Sequence, residues 1–156
     1  MTSALEPPAS TRARGAPLSA VVLGVLGLAP FVALAAAAQL LGGVWADEAR
    51  FALVAYGATI LSFLGGIHWG FALRDEAARD VLPWRLTVGV IPQLVGWAAL
   101  LAPTTVGLWV TAGAIMLFVA ADGGAVREKL APAWFLGLRA PLSAGAALCL
   151  AAGALA

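Results

Sequence analysis

Charged side chains are scarce in this chain. Only 11% of its 156 residues are Asp, Glu, Lys or Arg, while 62% are hydrophobic; soluble domains average about 25% charged residues. A water-soluble fold of this length could not cover so much apolar surface, whereas a membrane protein turns that surface toward lipid. The net charge of +1 offers no basic surface for nucleic acid. The composition therefore predicts a protein whose surroundings are the lipid bilayer.

Metal-ligating and nucleophilic residues are equally few. The single cysteine, Cys149, excludes an internal disulfide and a thiolate cluster. The single histidine, His68, cannot build the two- or three-histidine sets of zinc and iron sites. No glycine pair forms a phosphate-binding or dinucleotide-binding pattern, and no serine has a neighbouring base to activate it. We therefore predict no metal, no cofactor and no catalytic residue, and the sequence argues against an enzyme.

Apolar segments long enough to cross a bilayer occur five times. A spanning helix needs about 20 mostly apolar residues, and the alternation typical of membrane β-barrels is missing from the sequence. The predicted fold class is an all-α polytopic membrane helix bundle with five transmembrane helices. A disordered cytoplasmic tail over residues 1–16 would precede a transmembrane domain over residues 17–156. The predicted spans cover about residues 17–41, 50–73, 84–102, 104–121 and 136–156.

Lys and Arg residues fall almost entirely on one side of this topology. The side with the N-terminal tail and the loops after spans two and four carries eight of the nine, and the other side carries Arg50. Because basic loops stay in the cytoplasm, we predict a cytoplasmic N-terminus and a C-terminus at the opposite face, which is the periplasmic face in a bacterial inner membrane. As an alternative for span one, Arg12, Arg14 and the alanines at 33–38 also fit a cleaved signal peptide, although the apolar run is long for one.

Small residues inside the spans predict where the helices pack. Lipid chains are as apolar as leucine, so membrane helices associate through close backbone approach at small residues. We predict helix contacts at Gly24 and Gly27 of span one and at Ser62, Gly65 and Gly66 of span two.

Prolines inside two spans predict kinks. Pro30 and Pro92 each remove a backbone donor, which frees the carbonyl four residues earlier, at Leu26 or Val88. Such bends persist where neighbouring groups satisfy the freed carbonyl. We interpret both prolines as structural kinks, with a gating hinge as the alternative.

A few polar residues lie inside the apolar spans or at their ends. Ionisable side chains are costly in a bilayer and are functional candidates. His68 in span two, Asp122 at the end of span four and Arg139 at the start of span five share a depth in the cytoplasmic leaflet. Gln93 of span three lies somewhat deeper.

The chemistry of these four residues depends on whether helix order brings them together. Asp122 would accept from Arg139 in a charge-assisted pair. Asp122 or Gln93 would orient the imidazole of His68, which titrates near neutrality. The cluster then fits a ligand or proton site, and it fits an interhelical clamp that only holds the bundle together.

Several segments of the sequence together resemble a known family. The run Ile-Leu-Ser-Phe-Leu-Gly-Gly-Ile-His-Trp-Gly at residues 60–70, with Gly-Val-Ile-Pro at 89–92 and the Trp134–Arg139 segment, is similar to domain of unknown function 3429. That uncharacterised membrane family includes transmembrane protein 69 of animals. The resemblance covers nearly the whole chain after its N-terminal tail. It implies a small multi-span protein of bacterial inner membranes or mitochondrial membranes, and it implies no particular activity, substrate or cofactor.

Three functions follow as hypotheses. The first is a protein that binds or transports a small amphipathic or anionic ligand, or protons, through the polar cluster. The second is a structural or assembly protein whose small-residue faces dock another membrane protein or a second copy of the chain. The third and weakest is an enzyme that acts on a lipid or a quinone.

Overall fold

A computed structural model of the chain describes residues 15–74 and 80–156. Within those residues it contains five α-helices and no strand, and each helix is long and apolar enough to cross a membrane. The predicted all-α fold class is therefore confirmed. Most of the predicted N-terminal tail, together with Arg12, Arg14 and Arg79, lies outside the described residues. The helices are α1 (Leu18–Leu40), α2 (Val44–Arg74), α3 (Leu82–Leu101), α4 (Thr104–Arg127) and α5 (Ala133–Leu155).

Glycine, proline and a left-handed residue mark the connections between helices. The chain turns from α1 to α2 at Gly43, whose φ of 56° favours glycine. Pro103 separates α3 from α4, because a proline ring disfavours helical geometry in the residue before it. After α4, Lys129 has a φ of 61°, the left-handed geometry that commonly ends helices. The Leu130 N–H then donates back to the Ala125 carbonyl oxygen at 2.9 Å.

Three helices continue past the predicted spans. Helix α2 begins at Val44, α4 runs on to Arg127 and α5 begins at Ala133. Helix α4 runs on through the two glycines at 123–124 that follow Asp122, because a glycine costs a helix only about 1 kcal/mol. Asp122 therefore lies inside a helix rather than at its end. Where the bilayer surfaces cross the helices stays a prediction.

The helices form a ring in chain order, from α1 through α5 and back to α1. Helix α2 contacts all the others, reaching across the ring to α4 and α5. Among the described residues, α1 touches neither α3 nor α4, and α3 does not touch α5. The core consequently centres on α2, where Leu53 and Leu61 are fully buried in one cluster with Leu108 of α4 and Leu150 of α5.

The outer surface of the bundle is apolar. Leu117 and Leu148, for example, are 76% and 71% exposed. Water-soluble proteins rarely present large contiguous apolar surfaces, whereas lipid solvates them. Together with the five spanning-length helices, this surface identifies a multi-pass membrane protein.

The α2–α3 and α4–α5 connections lie at the same end of the bundle. An ion pair of 2.9 Å between Arg85 and Glu128 joins the start of α3 to the end of α4 there. At the opposite end, the basic side chain within the described residues is Arg50, whose Nη2 donates to the Thr105 hydroxyl at 2.7 Å. We call the first end the basic end, after its residues Arg74, Arg85, Arg127 and Lys129.

Two of the five residues predicted to pack helices lie at close helix contacts. A Cβ placed on Gly24 of α1 would lie 2.6 Å from Leu142 Cδ1 of α5. A Cβ placed on Gly65 of α2 would fall on the carbonyl oxygen of Gly89 in α3. Helices α2 and α3 approach this closely because position 65 lacks a side chain, whereas at Gly24 the space is occupied by the tip of the Leu142 side chain.

At the other three residues, the side-chain position does not lie against a neighbouring helix. Nothing lies within 4 Å of a Cβ placed on Gly27 or Gly66, and Ser62 is exposed and donates to the Ala58 carbonyl oxygen of its own helix at 3.2 Å. Ser62 and Gly66 lie on the outward side of α2, while Leu61 on the opposite side is fully buried.

Prolines lie inside three helices. Pro30 is in α1, Pro92 is in α3, and Pro141, which the sequence analysis did not single out, is in α5. Close to Pro30, the Tyr56 hydroxyl of α2 donates to the Gly27 carbonyl oxygen at 2.9 Å. This bond satisfies a carbonyl adjacent to the one that Pro30 frees and ties α1 to α2 at that level.

We predict that Gly65→Ala destabilises the bundle while Gly66→Ala does not. The new methyl at position 65 must push α2 away from the Gly89 backbone, and such overpacking costs about 1–3 kcal/mol. At position 66 there is free space, and alanine's helix propensity adds up to about 1 kcal/mol. Thermal unfolding in detergent measures both. Equal unfolding midpoints for the two variants would contradict the close α2–α3 contact.

Candidate functional site

Asp122 of α4 lies at the centre of a buried polar group. It is 1% exposed. Its Oδ1 accepts a hydrogen bond from His68 Nε2 of α2 at 2.9 Å, and its Oδ2 accepts one from Arg139 Nε of α5 at 3.2 Å. We call His68, Asp122 and Arg139 the buried triad. The triad joins three helices through one carboxylate.

Two aromatic rings hold the imidazole of His68 in place. Phe118, one turn before Asp122 on α4, packs against the imidazole with 4.8 Å between the ring centroids. Phe71 of α2 packs against the same ring at 5.6 Å, and both contacts are roughly edge to face. Because an ionised carboxylate only accepts, the neutral imidazole carries its hydrogen on Nε2 and keeps a lone pair on Nδ1. Within the described residues, Nδ1 forms no hydrogen bond.

The guanidinium of Arg139 is only partly satisfied. Its Nε bonds to Asp122, but its Nη2 is buried and has no partner among the described residues. Ser143, 1% exposed, also has a buried hydroxyl without a partner. The two residues are four apart on α5, so they share one face of the helix. A buried donor without an acceptor costs about 1–3 kcal/mol, so this face of α5 is suited to a polar acceptor.

A groove of about 350 Å³ lies against Arg139 and Ser143, between α1, α2 and α5. The rest of its lining is apolar or aromatic. Along α5 the lining runs from Trp134 to Ala146, which is about 18 Å by helical rise. We call this the α5 groove. It is elongated and apolar, with one cation and one hydroxyl on its wall.

A second cavity of about 710 Å³ lies between α2, α3 and α4. His68 lines it, and so do Arg85, Arg127 and Glu128 of the basic end. It shares no lining residue with the α5 groove. We call it the vestibule. The buried triad therefore borders one cavity at His68 and the other at Arg139.

Gln93, the fourth residue predicted for the cluster, is not part of it. Gln93 is exposed on α3 and, among the described residues, forms no hydrogen bond with the triad. Its neighbour Pro92 is buried near Gly65 of α2. Since successive helical residues are rotated by about 100°, a buried Pro92 turns Gln93 outward.

Sequence reasoning missed Ser143, Phe118 and both cavities. Ser143 follows Arg139 by four residues and Phe118 precedes Asp122 by four, so helical spacing was the available signal for both. No local pattern gives the cavities, because they depend on which helices are neighbours.

The arrangement is suited to recognition and proton exchange. Both oxygens of Asp122 already accept hydrogen bonds, from His68 Nε2 and from Arg139 Nε. Across the residues that the structure describes, no group of three or more His, Cys, Asp or Glu side chains is placed to hold a metal ion. Among the described residues, Arg139 Nη2 is left as a donor without an acceptor and His68 Nδ1 as an acceptor without a donor.

Comparison with known proteins gives a family without an assigned activity. The family model described as protein of unknown function (DUF3429) matches residues 16–155. Transmembrane protein 69 of Xenopus tropicalis is 38% identical over 135 residues, 83% of this chain and 51% of that protein. Transmembrane protein 69 of Mus musculus is 30% identical over 128 residues, 79% of this chain and 50% of that protein. The chain thus spans about half the length of these curated relatives. No solved structure matches it.

We predict that Asp122→Asn strongly destabilises the protein. The amide keeps the carboxylate's shape but leaves the Arg139 charge buried without a counter-ion, which typically costs about 3–5 kcal/mol. The matched control is Glu128→Gln, which removes the carboxylate of an ion pair whose acidic side chain is 57% exposed and should cost less than about 1 kcal/mol. Unfolding of the detergent-solubilised protein by SDS compares the two. Similar small losses would show that Asp122 is not the counter-ion of a buried charge.

Proposed function

This chain belongs to the DUF3429 family of membrane proteins, and we propose that it binds an anionic lipid in the α5 groove. Charged oxygens of the lipid accept hydrogen bonds from Arg139 and Ser143, and an acyl chain follows the apolar wall. The observation that carries the proposal is the buried, unpartnered Nη2 of Arg139, one turn from the unpartnered Ser143 hydroxyl in an otherwise apolar groove.

The donor chemistry favours an anion. A guanidinium presents several N–H groups in a planar fork, so Arg139 can bond to Asp122 through Nε and to a second acceptor through Nη2. Hydrogen bonds from arginine to a charged oxygen are roughly twice as strong as neutral ones. The Ser143 hydroxyl adds a further donor on the same face of α5. A carboxylate or phosphate oxygen matches both groups.

The position of the groove favours a lipid over a water-soluble anion. Its lining includes Leu23 and Phe63, which are 69% and 64% exposed on the apolar outer surface. A ligand can therefore enter sideways from the surrounding leaflet without crossing water. With the basic end in the cytoplasm, as the distribution of Lys and Arg favours, that leaflet is the cytoplasmic one.

Two other functions account for part of the site. As a clamp, the triad would hold α2, α4 and α5 together, but a clamp gives no use to Arg139 Nη2 or the Ser143 hydroxyl. As a docking protein, the chain would use the outward face of Ser62 and Gly66, where close approach of another helix is sterically open. Neither of these two functions supplies a hydrogen-bond acceptor for the unpartnered donors in the α5 groove.

The proposal is tested by native mass spectrometry of protein released from nanodiscs of phosphatidylcholine doped with either phosphatidylglycerol or oleate. The phosphate and carboxylate arms separate the two anion chemistries. We predict that the wild type retains an anionic lipid. Ser143→Ala should lower its affinity about tenfold, the loss of one hydrogen bond to a charged group. Arg139→Gln should abolish retention.

Arg74→Gln is the matched control, because Arg74 is an exposed cation of the basic end that lines neither cavity. It should retain the lipid as the wild type does. Equal retention by all variants would mean that the basic end attracts anionic lipid without a site. Retention of phosphatidylcholine alone would remove the role of Arg139, and a second polypeptide in place of lipid would favour docking.

A further inference from the structure

We infer that lipid binding in the α5 groove is coupled to the uptake of one proton by His68, which the proton reaches through the vestibule. This inference rests on the proposed function, since it needs an anion at Arg139. It adds to that function a link between the groove and the opposite side of the triad, and it makes the protein a proton-coupled lipid binder.

The charges of the buried triad give the first argument. With His68 neutral, Asp122 and Arg139 cancel. A bound monoanion then leaves one uncompensated negative charge in a region of low dielectric, where charge separation is costly. A proton on His68 restores neutrality. Binding of the anion and protonation of His68 therefore favour each other, and by linkage the effect is reciprocal.

The geometry of His68 gives the second argument. Nε2 is engaged by Asp122 at 2.9 Å, so the incoming proton adds to the lone pair of Nδ1 and no other bond has to break. His68 lines the vestibule and not the α5 groove. The proton and the lipid thus approach the triad from different cavities, and Asp122 is the group through which each affects the other.

Within the buried triad, His68 Nδ1 is the atom left to accept a proton, because both oxygens of Asp122 already accept hydrogen bonds. Phe118 and Phe71 cover its ring, and His68 is the single histidine of the chain, the side chain that ordinarily changes charge near neutrality. Arg85 and Glu128 are paired at the rim of the vestibule, so their charges largely offset each other. Among the described residues, the charged groups around His68 are Asp122 of α4 and Arg139 of α5 in the triad, and Arg85 of α3 with Arg127 and Glu128 at the end of α4 along the vestibule.

The experiment measures the affinity of the wild type for phosphatidylglycerol in phosphatidylcholine nanodiscs between about pH 5.5 and 8.5, around the ordinary titration of histidine. The phosphodiester stays ionised over this range, so the ligand itself does not titrate. We expect binding to tighten as the pH falls, by up to about tenfold per pH unit, the slope for uptake of one proton. Calorimetry in two buffers of different ionisation enthalpy counts the protons directly on the wild type.

His68→Gln separates coupling from a structural role. Its amide can still donate toward Asp122 but cannot take up a proton, so it should bind the lipid with an affinity independent of pH and with no proton uptake. Asp47→Asn, which removes an exposed carboxylate at the opposite end of the bundle, should keep the pH dependence.

Each result decides the coupling. Phosphatidylglycerol binding that is independent of pH in the wild type, without proton uptake, would overturn the coupling and leave the proposed function standing. A pH dependence that persists in His68→Gln would assign the proton to another group and also overturn it. Absence of binding at every pH would overturn both proposals. Because the calorimetric count needs only the wild type, a count of zero overturns the coupling even if His68→Gln does not fold.

Discussion

The buried carboxylate of Asp122 is the constraint on which the arrangement of the helices depends. An ionised group inside a membrane bundle is tolerated only where donors surround it. Here the donors are His68 Nε2 and Arg139 Nε, which come from two other helices. Satisfying one carboxylate therefore fixes the depth and rotation of α2, α4 and α5 together. Once these three are fixed, α1 completes the ring between α2 and α5, α3 completes it between α2 and α4, and each borders one of the two cavities.

Close backbone contacts on α2 set the same rotation from the apolar side. Gly65 allows the Gly89 backbone of α3 to approach, and Gly57 leaves room for the Thr111 side chain of α4. His68 lies three residues beyond Gly65 and shares its buried side of α2. Packing in the core and the hydrogen bonds of the triad are thus satisfied by one orientation of α2.

The sequence was sufficient for the number of helices because lipid imposes a length and a polarity that composition reveals directly. It was sufficient for the shared depth of His68, Asp122 and Arg139, since depth follows from position along a span. The sequence did not show how each helix is rotated about its own axis. Gln93 lies within the same stretch of membrane as the triad but points outward, and no local pattern in α3 shows which side meets α2.

The choice between a clamp and a ligand site turns on how many donors Arg139 brings. A clamp needs one donor to Asp122, and every further buried N–H without an acceptor is a cost to stability. Arginine is the residue that brings the most such donors, and Nη2 is buried without a partner while the neighbouring Ser143 adds another. Replacing such a buried ionic group by packed apolar residues is often neutral or stabilising, so stability alone does not account for it. The proposed lipid, as an acceptor from outside the chain, would satisfy this excess of donors on an apolar groove.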